Sequence, residues 1–238
     1  MSTPAETDVL VRDRYGNVLT FMQHFGKAFD VGAGGPQAFR VCMQAGMVGP
    51  AHFHDHDQFQ VFFGGQGCTL GAHPVPPVCV HYTDGYTPYG PFTAGAAGMD
   101  FFTLRAEATV ATMFMPAERS KLIRRPGRAF DSAVEGGQAV PSSATCNAII
   151  EPQADGLAAW HLSIGAGASI SAPAAVASGG QYFIVVAGEV RCQGKPLPFQ
   201  SCVFVGPDEN APLVMNTMDS GSDVVVLQYP RPGPAKAV

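Results

Sequence analysis

The segment AHFHDHDQFQVFFGG, residues 51–65, does most to decide how this chain folds. It places His52, His54, His56 and Gln58 at alternate positions and ends in a pair of glycines. Alternate residues of a β-strand point to the same face of a sheet. The segment therefore predicts extended structure with one imidazole-rich face, followed by a turn, and it raises the question of what the imidazoles surround.

Short runs rich in Val, Phe, Ile and Tyr, separated by Gly and Pro, make up most of the chain. Such runs predict an all-β protein with few helices. Long stretches with a 3.6-residue period are missing, and the best helix candidate is a short turn at 117–125. The clearest predicted strands lie at 38–44, 60–65, 76–82, 101–115, 181–190, 201–206 and 223–229.

A weak internal repeat divides the chain into two halves. Residues 58–66 (QFQVFFGGQ) align with residues 181–189 (QYFIVVAGE) at an offset of 123 residues. A polar segment rich in Gly, Pro and Ser lies between the halves. The repeat predicts two similar β domains, with boundaries at 1–124 and 145–238 and a linker at 125–144.

The composition excludes several classes of protein. The 238 residues carry a formal charge of -5, only 14% are charged, and 46% are hydrophobic. Nucleic-acid binding needs clustered Lys and Arg, and a transmembrane helix needs about 20 apolar residues in a row. Neither pattern is present, and the N-terminal segment does not resemble a secretory signal. The six scattered cysteines are expected to be free thiols, and the protein is expected to be cytoplasmic.

The histidine segment resembles the first motif of the cupin superfamily, which has the form G-x5-H-x-H-x3,4-E-x6-G. Gly46 or Gly49 precedes His52 and His54, Gly65 closes the motif, and Gln58 takes the place of the glutamate. Together with the repeat, the resemblance is to two-domain bicupins. It implies two tandem antiparallel double-stranded β-helix barrels, also called jelly rolls.

The second cupin motif, P-x-G-x2-H-x3-N, has a partial counterpart at residues 88–93 (PYGPFT), where Thr93 stands in place of the histidine. In the second half of the chain, the repeat offset puts Ala175 and Ala177 where the first half has His52 and His54. The resemblance therefore implies that only the first barrel can hold a metal in the manner of the family.

The resemblance implies a divalent transition metal, of the group Fe, Mn, Ni and Zn, for which imidazole is a suitable ligand. His52 and His54 are the predicted ligands, and Gln58 could add its amide oxygen. His81 and His56 are both candidates for the third strong ligand. His81 lies in a β-like run before the second motif, whereas His56 could instead lie at the mouth of a pocket.

Tyrosines crowd the segment HYTDGYTPYG at 81–90, beside the expected pocket. Tyr86 and Tyr89 are candidates for catalytic residues, because a phenol there could donate a proton or position a substrate. They could equally pack as amphipathic β residues with wet hydroxyl groups. His24 and His161, each isolated in the sequence, are interpreted as structural.

Two functions are compatible with these observations. The first is a metal-dependent enzyme acting on a small molecule in the first barrel, of the dioxygenase, lyase or isomerase type. The alternative is a metal-free bicupin that binds or senses a small molecule without catalysis. A metal would distinguish them, because the first function needs one and the second does not. By resemblance, the protein is expected to form a homodimer.

Overall fold

The computed structural model describes residues 1, 8–12, 18–25, 34–109, 111–136, 141–175, 178–207 and 209–232. Nearly all regular structure within these ranges is antiparallel β-sheet, as predicted. The predicted helical turn at 117–125 is reduced to a single 3-10 turn, Arg119–Lys121. No helix of the described residues is long and apolar enough to cross a membrane.

Contacts divide the chain into two compact units, with the boundary between Val134 and Glu135. The described residues of the first unit form thirteen strands: β1 (Asp8–Arg12), β2 (Val18–Phe25), β3 (Gln37–Met43), β4 (Val48–Gly49), β5 (His52–Phe53), β6 (Gln58–Phe63), β7 (Thr69–Leu70), β8 (His73–Pro74), β9 (Cys79–Thr83), β10 (Phe92–Thr93), β11 (Met99–Arg105), β12 (Met113–Phe114) and β13 (Ala129–Ala133).

The second unit contains the remaining nine: β14 (Ala144–Ile150), β15 (Ala158–Ile164), β16 (Ser169–Ser171), β17 (Gln181–Ala187), β18 (Glu189–Cys192), β19 (Lys195–Pro198), β20 (Cys202–Val205), β21 (Leu213–Met215) and β22 (Ser222–Gln228). Part of the segment predicted as a linker, 125–144, is regular structure. Strand β13 lies within it and pairs with β9, so these residues complete the sheet of the first unit.

Each unit contains one larger sheet and smaller ones. The larger sheets have the strand orders β1-β2-β3-β11-β6-β9-β13 and β14-β15-β22-β17-β20. Smaller four-stranded sheets have the orders β4-β10-β7-β8 and β16-β21-β18-β19, and β5 pairs with β12. The central strands β3-β11-β6-β9 therefore correspond to β15-β22-β17-β20. In this correspondence β6 is equivalent to β17, which agrees with the repeat found in the sequence.

The register of the first large sheet arranges its buried face in rows. One row is apolar and runs through Val41, Phe101, Phe62 and Cys79. Paired residues in neighbouring strands share a face. The next row on the same face runs through Phe39, Thr103, Gln60, His81 and Asp131. The interior of the first barrel is thus apolar at one end and becomes polar towards the other.

The interior of the second barrel is apolar over the corresponding rows except at Ser201, which is buried at the position equivalent to Cys79. Its core contains Trp160, Phe183, Val203 and Val226, which occupy the row equivalent to that of Gln60 and His81. Larger polar side chains lie at the end of the sheet, where Gln181 donates a hydrogen bond to Gln228 at 2.8 Å.

Candidate functional site

The histidine pair is held at its backbone by two other segments of the first unit. Strand β5 pairs with β12, and His52 exchanges two backbone hydrogen bonds with Tyr89, at 3.1 and 3.0 Å. The His54 carbonyl accepts a further bond from the backbone N–H of Tyr86. The chain around the second motif is therefore fixed against the histidine segment, which brings the Tyr89 ring beside both imidazoles.

Both imidazoles of the pair have one nitrogen bound to a backbone carbonyl. His52 Nδ1 lies 2.9 Å from the Pro50 carbonyl oxygen, and His54 Nδ1 lies 2.5 Å from that of Ala111. A carbonyl can only accept, so each Nδ1 carries the proton and each Nε2 is left as an acceptor. Burial lowers the pKa of His52 to about 4 and that of His54 well below its usual value. Both rings are therefore neutral near pH 7.

His81 enters the same interior from β9. Its Nδ1 lies 2.6 Å from Oδ1 of Asp131, its direct partner in β13. The carboxylate accepts a hydrogen bond from Nδ1–H, and this bond lowers the pKa of Asp131. His81 Nε2 is buried and has no hydrogen-bond partner. The hydrogen bond from Nδ1 to the carboxylate orients the ring, and it leaves Nε2 able to accept a proton or bind a ligand.

The Tyr89 ring packs against the rings of both His52 and His81. Its ring centroid is 4.7 Å from that of His52 and 5.1 Å from that of His81. Its hydroxyl oxygen accepts a hydrogen bond of 2.7 Å from Gln58 Nε2. Burial raises the pKa of the phenol, whereas Arg105 and the bond from Gln58 lower it. The phenol is thus protonated near neutral pH, but the groups around it would stabilise the phenolate that it leaves behind.

Arg105 closes the polar end of the interior from the last position of β11. Its guanidinium donates to Gln37 Oε1 and to the Thr109 carbonyl, and Nη2 lies 3.4 Å from both ring nitrogens of His54. The predicted long strand 101–115 is interrupted here, and the chain turns through Thr109 before β12. Arg105 therefore brings a permanent positive charge into the site.

His56 lies outside this cluster. Its Nδ1 is 2.8 Å from Oδ1 of Asp55, and its side chain is about one-third exposed. The bond to Asp55 raises the pKa of His56. The same carboxylate oxygen accepts a hydrogen bond from the Thr109 hydroxyl. His56 thus belongs to a surface network and not to the group of buried imidazoles.

Tyr86 also lies apart from the histidines. Its ring packs 6.2 Å from that of Phe53, whose side chain faces away from His52 and His54, and the Arg125 guanidinium lies 5.7 Å from the Tyr86 ring centroid. Tyr86 and Arg125 line a surface cavity of about 470 Å³. Of the two predicted catalytic tyrosines, the structure brings only Tyr89 to the buried imidazoles.

The residues fit a metal centre only in part. The His52 and His54 rings have centroids 5.0 Å apart and planes at 85°, and both Nε2 atoms are acceptors. The Tyr89 ring packs against both His52 and His81, however, and Gln58 turns its amide nitrogen to the Tyr89 hydroxyl. Among the residues that the structure describes, no three His, Cys, Asp or Glu side chains form a group that could hold a metal ion.

The charges of the site also disfavour a bound metal ion. A dication beside His54 would lie close to the Arg105 guanidinium, and the family's glutamate is here an uncharged glutamine. Like charges at short range in a buried site repel strongly. The set of three histidines and one carboxylate that the resemblance implies is therefore not assembled by His52, His54, His81, Gln58 and their neighbours.

Sequence reasoning missed Arg105, Asp131 and Gln60. Gln60 was visible as the next residue of the same parity after Gln58, which is a signal that could have been used. Arg105 and Asp131 had no local signal, because they join the site only through the pairing of β11 and β13 with strands distant in sequence.

No protein-family profile matches this sequence, and no curated protein matches it either. Solved structures do match the fold. A candidate dioxygenase of Nostoc punctiforme is 12% identical, with a TM-score of 0.59, over 99% of this chain and 81% of that chain. Oxalate decarboxylase of Bacillus subtilis is 10% identical, with a TM-score of 0.60, over 98% of this chain and 78% of that chain.

A bacterial pirin of Escherichia coli, solved in complex with nickel(II), is 13% identical, with a TM-score of 0.58, over 98% and 99% of the two chains. Another structure of the decarboxylase concerns its Mn(II) centres. All three proteins are cupins, so the resemblance read from the sequence is confirmed for the fold: this chain has the all-β, two-barrel bicupin fold. At these identities the likeness concerns the fold, and function rests on the site.

Proposed function

We propose that the first barrel binds a small organic molecule and catalyses proton transfer on it without a metal, as an isomerase or lyase would. The observation that carries the proposal is the pairing of a buried acceptor, His81 Nε2, with a buried phenol, Tyr89, on rings 5.1 Å apart. A general base and a general acid on opposite sides of one reacting group are the minimum for such chemistry.

The roles follow from the bonds that each residue makes. His81 Nε2 would accept a proton from a carbon next to a substrate carbonyl, as the C–H bond breaks and its electron pair moves towards the carbonyl oxygen. Tyr89 would give its proton to that oxygen. Asp131 positions His81 and stabilises the imidazolium, while Gln58 and Arg105 stabilise the phenolate. Return of a proton to a different face or carbon then yields an isomer.

The experiment is hydrogen exchange into substrates. Pools of sugars, hydroxy acids and oxo acids are incubated with the protein in D2O, and loss of C–H signals is followed by NMR. We expect the wild type to exchange one C–H position in at least one compound. His81→Gln should slow that exchange by at least about 100-fold, because general base catalysis contributes roughly 10²–10⁴. Tyr89→Phe should slow it as well.

The second barrel offers a matched control. His161 Nε2 lies 2.8 Å from Oδ1 of Asp223, so His161→Gln also breaks a buried histidine–aspartate pair. It should leave the exchange rate unchanged. Equal losses in the two variants would show that His81 acts only on stability. A wild type that exchanges no C–H position but still binds compounds from the pools would instead indicate a non-catalytic binding protein.

A metal-dependent enzyme is the second candidate, favoured by the perpendicular His52 and His54 rings with both Nε2 atoms left as acceptors. Oxalate decarboxylase and pirin, which share the fold, are described with Mn(II) and nickel(II). Elemental analysis of the wild type and of the double variant His52→Ala/His54→Ala distinguishes the candidates. Near-stoichiometric Fe, Mn, Ni or Zn that is lost in the double variant would replace the metal-free proposal. Homodimer formation and a cytoplasmic location stay predictions from the sequence.

A further inference from the structure

Among the described residues of the first barrel, three buried hydrogen-bond acceptors on the inner face of the large sheet have no partner: Oε1 of Gln58, Oε1 of Gln60 and Nε2 of His81. The three side chains are only 1%, 2% and 2% exposed. A buried acceptor without a donor destabilises a protein by about 1–3 kcal/mol, and such groups are rare in folded proteins. Three of them in one barrel call for a physical explanation.

Strand register brings the three acceptors together. Gln60 is the direct partner of His81 across β6 and β9, so their side chains lie on one face with Cβ atoms about 5 Å apart. Gln58 follows on the same face of β6, about 7 Å away along the strand. We refer to Gln58, Gln60 and His81 as the acceptor cluster.

The chemistry of these atoms restricts what can bind them. An amide oxygen only accepts, and His81 Nε2 accepts because the ring proton is on Nδ1, where it is donated in a hydrogen bond to Asp131. A molecule that satisfies the cluster must therefore bring more than one hydrogen-bond donor. Hydroxyl groups, amide N–H groups and ammonium groups all qualify on this criterion alone.

Charge narrows the choice. The Arg105 guanidinium lowers the pKa of His52, His54 and Tyr89, so its positive field extends over the interior that these groups line. A cationic amine would be repelled there. The negative charge nearest the cluster, on Asp131, lies on the far side of the His81 ring and is engaged by the Nδ1 proton.

Aromatic rings border the cluster on its other side. The Phe62 and Tyr89 centroids lie 6.2 Å and 5.1 Å from that of His81. These rings offer an apolar surface to the C–H groups of a ligand, while the acceptor cluster faces its donors. A molecule with hydroxyl groups on a small carbon skeleton has both properties.

We propose that the acceptor cluster makes the first barrel specific for a small molecule without positive charge that carries at least two hydroxyl groups, here called a polyol; in a substrate these groups stand beside the carbonyl that the proposed function requires. The hydroxyl groups donate to Gln60 Oε1 and His81 Nε2, with Gln58 Oε1 as a further acceptor. This inference rests on the proposed function, because it names the class of molecule that the same site takes.

Isothermal titration calorimetry with Gln60→Met tests it. The probes are D-xylose and myo-inositol as polyols, the O-methyl ether of whichever polyol binds, putrescine as an amine and malonate as a dicarboxylate. We expect a polyol to bind the wild type and its O-methyl ether to bind less tightly. Gln60→Met should weaken polyol binding roughly tenfold, since it removes one hydrogen bond. The same variant should raise the Tm of the free protein, because it removes an unpaired buried acceptor.

A variant that binds polyols less tightly but has a higher Tm cannot have lost binding through loss of stability. Gln181→Met in the second barrel is the control: it removes an unpaired acceptor too, but it also breaks the bonds from Gln181 Nε2 to Gln228 and to the Pro173 carbonyl, so it should lower Tm and leave polyol binding unchanged. Gln60→Leu repeats the test with a different shape. Polyols that do not bind the wild type, or that bind Gln60→Met as tightly as the wild type, would overturn the inference.

Failure of this inference is distinguishable from failure of the proposed function. If malonate or putrescine binds and His81→Gln abolishes that binding while no polyol binds, the polyol inference is wrong and a small-molecule site at His81 stands. If none of the probes binds and no compound exchanges a C–H position in D2O, both are wrong.

Discussion

The two barrels of this protein have matching central strands and different interiors. In the first barrel, the row of paired residues next to the apolar core runs through Thr103, Gln60 and His81. In the second barrel, the equivalent row runs through Val226, Phe183 and Val203. The fold therefore does not require polar groups at these positions. Their presence in one barrel points to a ligand and not to the architecture.

The ends of the two interiors differ in charge as well. Arg105 at the end of β11 has Gln228 at the end of β22 as its counterpart, because both are the last residues of equivalent strands. Gln181 Nε2 donates to Gln228 and to the Pro173 carbonyl, and Gln228 Nε2 donates to the Gly156 carbonyl, while Gln181 Oε1 is buried without a partner. The first barrel has a cation and three unpaired acceptors here and in the next row, whereas the second has an uncharged amide pair with one unpaired acceptor.

The largest effect is expected from giving the second barrel a residue of the first. Phe183→Gln replaces a buried core side chain by an amide that has no partner in an apolar row. Lost burial and an unpaired polar group together should lower the free energy of unfolding by about 4 kcal/mol. Urea denaturation measures it. Phe199→Gln is the control, since Phe199 is 44% exposed and its replacement should change stability by less than about 0.5 kcal/mol.

A stability change for Phe183→Gln as small as that for Phe199→Gln would show that the second barrel accommodates polar groups freely. In that case the polar row of the first barrel would not indicate a ligand, because either barrel could contain such a row without one.

A smaller effect is expected from acid, and it should arise in the first barrel. The folded-state pKa of His52 is about 4, whereas the unfolded chain binds this proton near pH 6.5. Between these pH values the unfolded state holds more protons, so stability falls as the pH is lowered. The difference between pH 7 and pH 5 should be about 2 kcal/mol for His52 alone. His54 acts in the same direction.

Urea denaturation of the wild type and of His52→Gln at the two pH values checks this prediction. The variant lacks the titrating group, so its stability should depend less on pH by about 2 kcal/mol. Parallel pH dependence in the two proteins would contradict a buried, neutral His52. The raised pKa of His56 acts in the opposite direction, since the stability it contributes is present below pH 6.5 and is lost as the pH rises, but it does so in both proteins and cancels in the comparison.

The smallest effect concerns a buried hydroxyl of the second barrel. Ser201 Oγ is buried without a partner, at the position equivalent to Cys79. Ser201→Ala removes that unpaired group and should stabilise the protein by up to about 1 kcal/mol. Thermal unfolding measures the gain. Because this hydroxyl stands alone in an apolar interior, polyol binding should be unchanged, and any loss of binding would show that the second barrel takes part.

Much of the site was predictable from local pattern. His52, His54, Gln58 and Tyr89 were all proposed from spacing and from the cupin motifs, and the structure brings their side chains together. His81 was one of two candidates for a third imidazole, and its strand pairing directs it inward. His56 and Tyr86 were proposed on the same evidence but face Asp55 and Arg125 instead.

The metal illustrates why local pattern was insufficient. The spacing of His52 and His54 is that of a ligand pair, and their two rings are arranged as a pair. Whether a third imidazole joins them depends on where the Tyr89 ring lies, and that position is set by backbone bonds between segments 37 residues apart in sequence. A motif written along one segment contains no information about a ring from another.

The sequence by itself determined the all-β class, the division into two similar halves, and the imidazole-rich face of the first half, because these follow from residue periodicity along the chain. Only the tertiary structure decided that Gln60 pairs with His81, that Asp131 orients His81, and that Arg105 reaches His54. The reason is physical: hydrogen bonds between strands select which residues become neighbours across a sheet, and that selection depends on the packing of the whole barrel.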